Sequence, residues 1–157
     1  DTYIARVIVE FIISTCIYGI FIFILGFWAG YDVSIAYPVE WVYSIFMGIL
    51  FSFGLGIMLS VLVQVMPNMK SIVRLLFMPL YFISGVIFPL WIIPERYLHW
   101  VLWNPYAHIV SNIRSAVFTS YPDIPGVSQT YPLICTIIFL FIGIGLYRVR
   151  RDQLLMR

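Results

Sequence analysis

Four stretches of this chain run apolar for about the length of a bilayer crossing: residues 7–29, 41–66, 75–93 and 131–147. A transmembrane helix needs roughly 20 predominantly apolar residues. The first stretch carries Glu10 as its one charge, the second and fourth carry none, and the third is interrupted by Pro79 and Pro89. The pattern predicts four transmembrane helices. The segment between the third and fourth is too apolar for an ordinary loop and too broken for a span. Pro94-Glu95 opens a short helix bearing Tyr97, Leu98, Trp100, Val101 and Trp103. Asn104-Pro105 then reads as an N-cap followed by proline at the first helical position. A second helix over 106–118 places Ile109, Val110, Ile113 and Val117 at helical spacing, and the turn residues of 121–126 end it. The expected fold is an all-α polytopic membrane protein, a single transmembrane domain over 1–157, with a short outer-face helical hairpin at about 94–118.

Composition supports the lipid reading. Of 157 residues 62% are apolar and 10% charged, against roughly 45–50% and about 25% in soluble domains. A chain of this size has too little interior to hide that surface from water. Charge placement sets the orientation. Arg6, Lys70, Arg74, Arg148, Arg150, Arg151 and Arg157 fall on one side of a four-span arrangement, and only Arg96 and Arg114 of the nine basic residues fall on the other. By the positive-inside rule the basic side is cytoplasmic, so both ends of this segment face the cytoplasm. Trp28, Trp41, Trp91, Trp100 and Trp103 then lie near the outer face as an interfacial belt. Opening at Asp1 with no signal-peptide pattern, the chain is expected to be an internal part of a longer protein. Cys16 and Cys135 fall within apolar runs and read as small hydrophobes, with no disulfide implied.

The chemistry that the sequence lacks narrows the function. It contains no GxxxxGK[ST] phosphate loop, no GxSxG, no metal-ligand spacing among His, Cys, Asp and Glu, and no nucleic-acid signature in its charge. Glu10, the one ionisable residue inside a run, sits four residues after Arg6 and reads as an entrance ion pair or, alternatively, a proton relay. Gly48, Ser52, Gly56 and Ser60 form a small-residue stripe that admits a close helix, either within the chain or from a second copy; Gly26 and Gly30 are a shorter version. Pro79 and Pro89, with Ser84-Gly85 between them, read as a kink or a hinge in the third run. His99 and His108 read as interfacial residues rather than ligands. The outer aromatic side chains form a belt or, alternatively, offer flat faces to sugar rings.

The stretch Met78-Pro-Leu-Tyr-Phe-Ile-Ser-Gly85, Phe88-Pro-Leu, Ile93-Pro94, Trp103-Asn-Pro105, His108 and Arg114-Ser-Ala-Val117 resembles one family. It is similar to the membrane permeases of capsular polysaccharide exporters, the KpsM-like subunits of type-2 ABC exporters of Gram-negative bacteria. Asp1-Thr-Tyr-Ile-Ala-Arg6 and Tyr147-Arg148 extend the likeness over nearly the whole chain. The resemblance implies two further spans, an amphipathic helix and a coupling helix upstream. It also implies pairing as a homodimer in the inner membrane, a separate ATPase subunit that binds ATP and Mg, and periplasmic and outer-membrane export proteins as partners. The chain itself would hold no cofactor and catalyse nothing. Ser111 stands where the family resemblance leads one to expect Glu, so a Glu–Arg pair with Arg114 is not carried over.

The functional expectation is therefore a permease moving an acidic, lipid-linked capsular polysaccharide. The alternatives are a non-transporting membrane scaffold, or a permease for O-antigen, teichoic acid or drugs. The expected outer gate or substrate path comprises Trp91, Tyr97, Trp100, Trp103, Asn104, Tyr106, His108 and Arg114, with simple interfacial anchoring as the competing reading. Arg6, Lys70 and Arg74 are the expected ATPase-side contacts.

Overall fold

The computed structural model describes residues 2–28, 34–66 and 68–155. These form six α-helices, and no strand occurs among the described residues. The chain divides into two compact units, 1–34 and 35–157.

The first unit is a single helix, α1 (Thr2–Phe23), closed by a π-helical turn at Ile24–Trp28. Phe23 and Phe27 stack with ring centroids 5.4 Å apart. The side chains of Arg6 and Glu10 lie outside the described set, as does Gly30, so the expected ion pair and the short glycine pair fall there.

The second unit is built around α2 (Pro38–Val65) and α6 (Thr130–Leu155), its two longest helices and its most extensive helix pair. Both are long and apolar enough to cross a membrane. Only 22% and 17% of their most apolar stretches are buried within the chain, far less than the core helix of a water-soluble protein requires. Glycine decides where they touch. A Cβ on Gly54 would stand 3.0 Å from the Leu140 amide nitrogen, and one on Gly143 would stand 3.2 Å from the Gly54 carbonyl oxygen. Bare backbones thus meet, which is how helices associate where lipid offers no hydrophobic drive. Phe51, one turn before, packs edge-on to Phe139 at 5.5 Å.

The expected stripe divides in two. Gly48 faces Ile109 of α5 (Pro105–Val117), and the Ser52 hydroxyl bonds the Tyr106 hydroxyl at 3.0 Å. Gly56 has nothing within 4 Å of where its Cβ would stand, and Ser60 accepts from Gln64 Nε2. The close glycine contact in this unit is one helical face away, at Gly54.

The third apolar run does not continue as one helix to Ile93. Helix α3 (Met69–Ile83) starts earlier than expected and has 15 residues, rising about 22 Å at 1.5 Å per residue. It contains Pro79 and ends where the Ser84 hydroxyl donates to the Tyr81 carbonyl and Gly85 takes φ +79°. That left-handed conformation suits glycine and ends the helix at little steric cost. Pro89, in extended conformation, then starts a 3-10 turn at Leu90–Ile92. Ser84-Gly85 is a helix terminus rather than a hinge within a longer helix.

The hairpin follows the expected outline. Helix α4 (Glu95–Val101) and α5 flank Leu102–Asn104. Leu90, Leu98 and Ala107 form a small buried core, closed by Ile93, Val101, Leu102, Ile124 and Val127. Helices α2 and α6 begin at the hairpin end and α3 finishes there. Lys70, Arg74 and Arg148 lie toward the opposite end.

Candidate functional site

The hairpin is held to the helices by polar side chains that each satisfy backbone groups left open by a helix end. Asn104 is the N-cap of α5: its Oδ1 accepts the Tyr106 amide at 3.1 Å. Its Nδ2 donates to the Leu80 carbonyl at 3.2 Å, a group at the terminus of α3. Arg114, ten residues on, donates from Nη2 to the Val86 carbonyl at 2.7 Å. The guanidinium therefore braces the turn after α3.

His108 is 3% exposed and bonded through both ring nitrogens. Its Nε2–H donates to the Leu102 carbonyl at 2.8 Å, and its Nδ1 accepts the Ser128 amide at 3.0 Å. Only the neutral ring with the proton on Nε2 meets both demands. Burial pushes its pKa below the usual imidazole range, partly offset by the Leu102 carbonyl. The interfacial role expected for His108 gives way to an interior clasp between α4–α5 and the loop before α6. Tyr106 is half-buried, with its ring edge-on to Phe51 at 4.8 Å and its hydroxyl on Ser52.

The remaining gate candidates are exposed. Trp91, Tyr97, Trp100 and Trp103 present their rings outward. Trp100 and Trp103 lie 5.5 Å apart, His99 lies against Trp100 at 4.9 Å, and Trp91 meets Tyr121 edge-on at 5.2 Å. The Trp103 carbonyl accepts the Tyr131 hydroxyl at 2.9 Å, fixing the start of α6. The expected set thus separates into exposed rings and side chains that tie segments together. At the opposite end Lys70 and Arg74 are exposed, and the side chain of Arg6 lies outside the described residues.

The hairpin end also carries a groove that sequence reasoning missed. This open groove offers about 600 Å³ between the start of α2, one face of α5 and the loop leading to α6. Glu40, Asp123, Asn112, Ser115 and Gln129 contribute polar groups, and Tyr37 and Tyr121 contribute rings. The Tyr37 amide donates to the Ala116 carbonyl at 2.8 Å, joining α2 to α5 beside it. Ser111, 3% exposed, lines the groove and contacts the Tyr121 hydroxyl at 3.4 Å. No local pattern signals this site, because its members come from three segments joined only by tertiary contacts. Among the described residues no three His, Cys, Asp or Glu side chains gather as a metal site.

Two long apolar helices, little buried within the chain, suit a membrane protein, and comparison with known proteins gives its class. The ABC-2 type transporter family matches residues 1–118, and the chain belongs to that family. Two Escherichia coli relatives, both polysialic acid transport proteins KpsM, are 37% and 36% identical to it over 155 residues. The match covers 99% of this chain and 59% of each relative, so the chain spans less than two thirds of their length.

Proposed function

We propose that this chain is part of the permease subunit of an ATP-driven exporter that moves a capsular polysaccharide across the inner membrane. The observation that carries the reading is similarity along 99% of the chain to proteins named for polysialic acid transport. On this reading α1, α2, α3 and α6 are four spans, and both ends of the segment are cytoplasmic. The turn at 84–93 then completes the outer part of the third crossing, because α3 alone is about 8 Å short of a hydrocarbon core of about 30 Å. Lys70, Arg74 and Arg148 lie at the end opposite the hairpin, against Arg96 and Arg114 within it, and this excess of basic residues supports a cytoplasmic assignment for that end.

The permease works as a homodimer with a separate ATPase that binds ATP and Mg. Periplasmic and outer-membrane export proteins continue the route, and the polymer is acidic and lipid-linked. The hairpin is the outer gate, with Trp91, Tyr97, Trp100 and Trp103 as its polymer-facing rings, and Asn104, Tyr106, His108 and Arg114 holding it in place. The ATPase shifts the permease between states through differential contacts near Arg6, Lys70 and Arg74. Affinity purification of the complete protein should recover a nucleotide-binding subunit. Recovery of none, together with polymer export that persists when ATP hydrolysis is blocked, would defeat this function.

A further inference from the structure

The groove between α2, α5 and the loop before α6 has the chemistry of a sugar site but the wrong charge for an acidic sugar. Its volume of about 600 Å³ falls within the roughly 300–1,000 Å³ of small-ligand sites. Its polar groups are of the kinds that exchange hydrogen bonds with hydroxyls. Glu40 and Asp123 are acceptors, Asn112 and Gln129 offer both donors and acceptors, and Ser115 offers a hydroxyl. The Tyr121 ring is steadied edge-on by Trp91 at 5.2 Å, so an aromatic face is held at the wall. The Ser111 hydroxyl is almost fully buried, and its contact with the Tyr121 hydroxyl is long at 3.4 Å, which leaves it hydrogen-bonding capacity toward the groove.

Charge decides among sugars. The groove wall has two carboxylates and no lysine or arginine. Carboxylates accept strong bonds from neutral hydroxyls but repel a second carboxylate in the same wet space. We propose that this groove is a binding subsite for uncharged, hydroxyl-rich sugar units and that it disfavours acidic ones. The proposal rests on the exporter reading for its biological sense, and it narrows that reading: a polymer passing this face carries neutral units among its acidic ones. A basic peptide is the rival occupant. The groove favours sugar because its wall is mostly hydroxyl, amide and ring, with only two charges.

Saturation-transfer NMR on the complete protein in nanodiscs, without nucleotide, tests the ligand class directly. The probes are chitotriose and maltotriose as neutral trisaccharides, a sialic acid trimer as the acidic one, and trilysine as the peptide competitor. At least one neutral trisaccharide should receive saturation, with a dissociation constant in the millimolar range expected of an open, wet site. Glu40→Gln combined with Asp123→Asn removes two charged acceptors and should weaken it about tenfold, since hydrogen bonds to charged groups are the stronger ones. Both side chains are exposed, so the fold should survive. Asp123→Lys should let the sialic acid trimer bind.

Absence of transfer to both neutral trisaccharides, or transfer undiminished in the double variant, would overturn the subsite. So would tighter binding of the sialic acid trimer to the unaltered protein, or displacement of the sugars by trilysine at lower concentration than either sugar binds. None of these results touches the exporter reading, which is judged by recovery of the ATPase. Sugar binding in a protein that recovers no ATPase, and whose polymer export persists when ATP hydrolysis is blocked, would defeat the exporter and support the subsite.

Discussion

The Ser128 amide donates to Nδ1 of His108 at 3.0 Å, so the loop before α6 is pinned to α5 through an unprotonated ring nitrogen. Protonation removes that acceptor. The pKa of His108 is lowered in the folded protein, so the folded state prefers the neutral ring. Its contribution is therefore complete above the unfolded imidazole value of about 6.5 and is lost as pH falls through the lower folded value. Thermal unfolding of the purified complete protein should shift to lower temperature between pH 7 and pH 5. His108→Phe should be less stable by about 1–3 kcal/mol, the cost of buried groups left unbonded, and should lack this acid-dependent component. An unchanged acid dependence in the variant would remove His108 as its source.

Glycine position gives a second prediction. Gly54→Ala places a methyl group against Leu140 backbone and should lower folded abundance, at about 1–3 kcal/mol for overpacking. Gly56→Ala meets nothing within 4 Å in this chain and should be milder. If Gly56→Ala proves the more damaging, that face is covered by another part of the complete protein or by a second copy.

Orientation is checked by single cysteines. In intact spheroplasts a membrane-impermeant thiol reagent should modify position 123 and not position 70. The reverse pattern would invert the four-span arrangement.

The gate is tested at an exposed ring. Trp103→Cys is a better probe than a cysteine at Asn104, because Asn104 caps α5. Labelling at position 103 should change when ATP hydrolysis is arrested. Arg114→Ala should reduce export more than it reduces protein level, since it releases the Val86 carbonyl at the turn. Unchanged labelling with normal export would leave the hairpin as an interfacial anchor.

What the sequence made legible was local. Asn104-Pro105 announced a helix start, and α5 begins there with the expected cap. The apolar runs at 41–66 and 131–147 correspond to α2 and α6, though α6 continues to Leu155. The third run misled because hydropathy does not register a helix terminus: residues 84–93 are as apolar as a helix, yet Gly85 and Pro89 take non-helical conformations. The small-residue stripe was visible as composition, but which face meets α6 depends on packing, and that placed the contact at Gly54. The groove was invisible for the same reason. Glu40 and Asp123 are 83 positions apart, and nothing local relates them.

Asn104 serves two helices with one amide, capping α5 with its oxygen and closing the end of α3 with its nitrogen. Arg114 repeats the attachment across the Gly85 turn, at Val86. The pair works as a double latch. Both bonds lie on the exposed side of the hairpin. Sliding α5 away from α3 lengthens them together and hands two carbonyls to surrounding water, so the pair fixes the register of the hairpin on α3 without raising a high barrier to parting them.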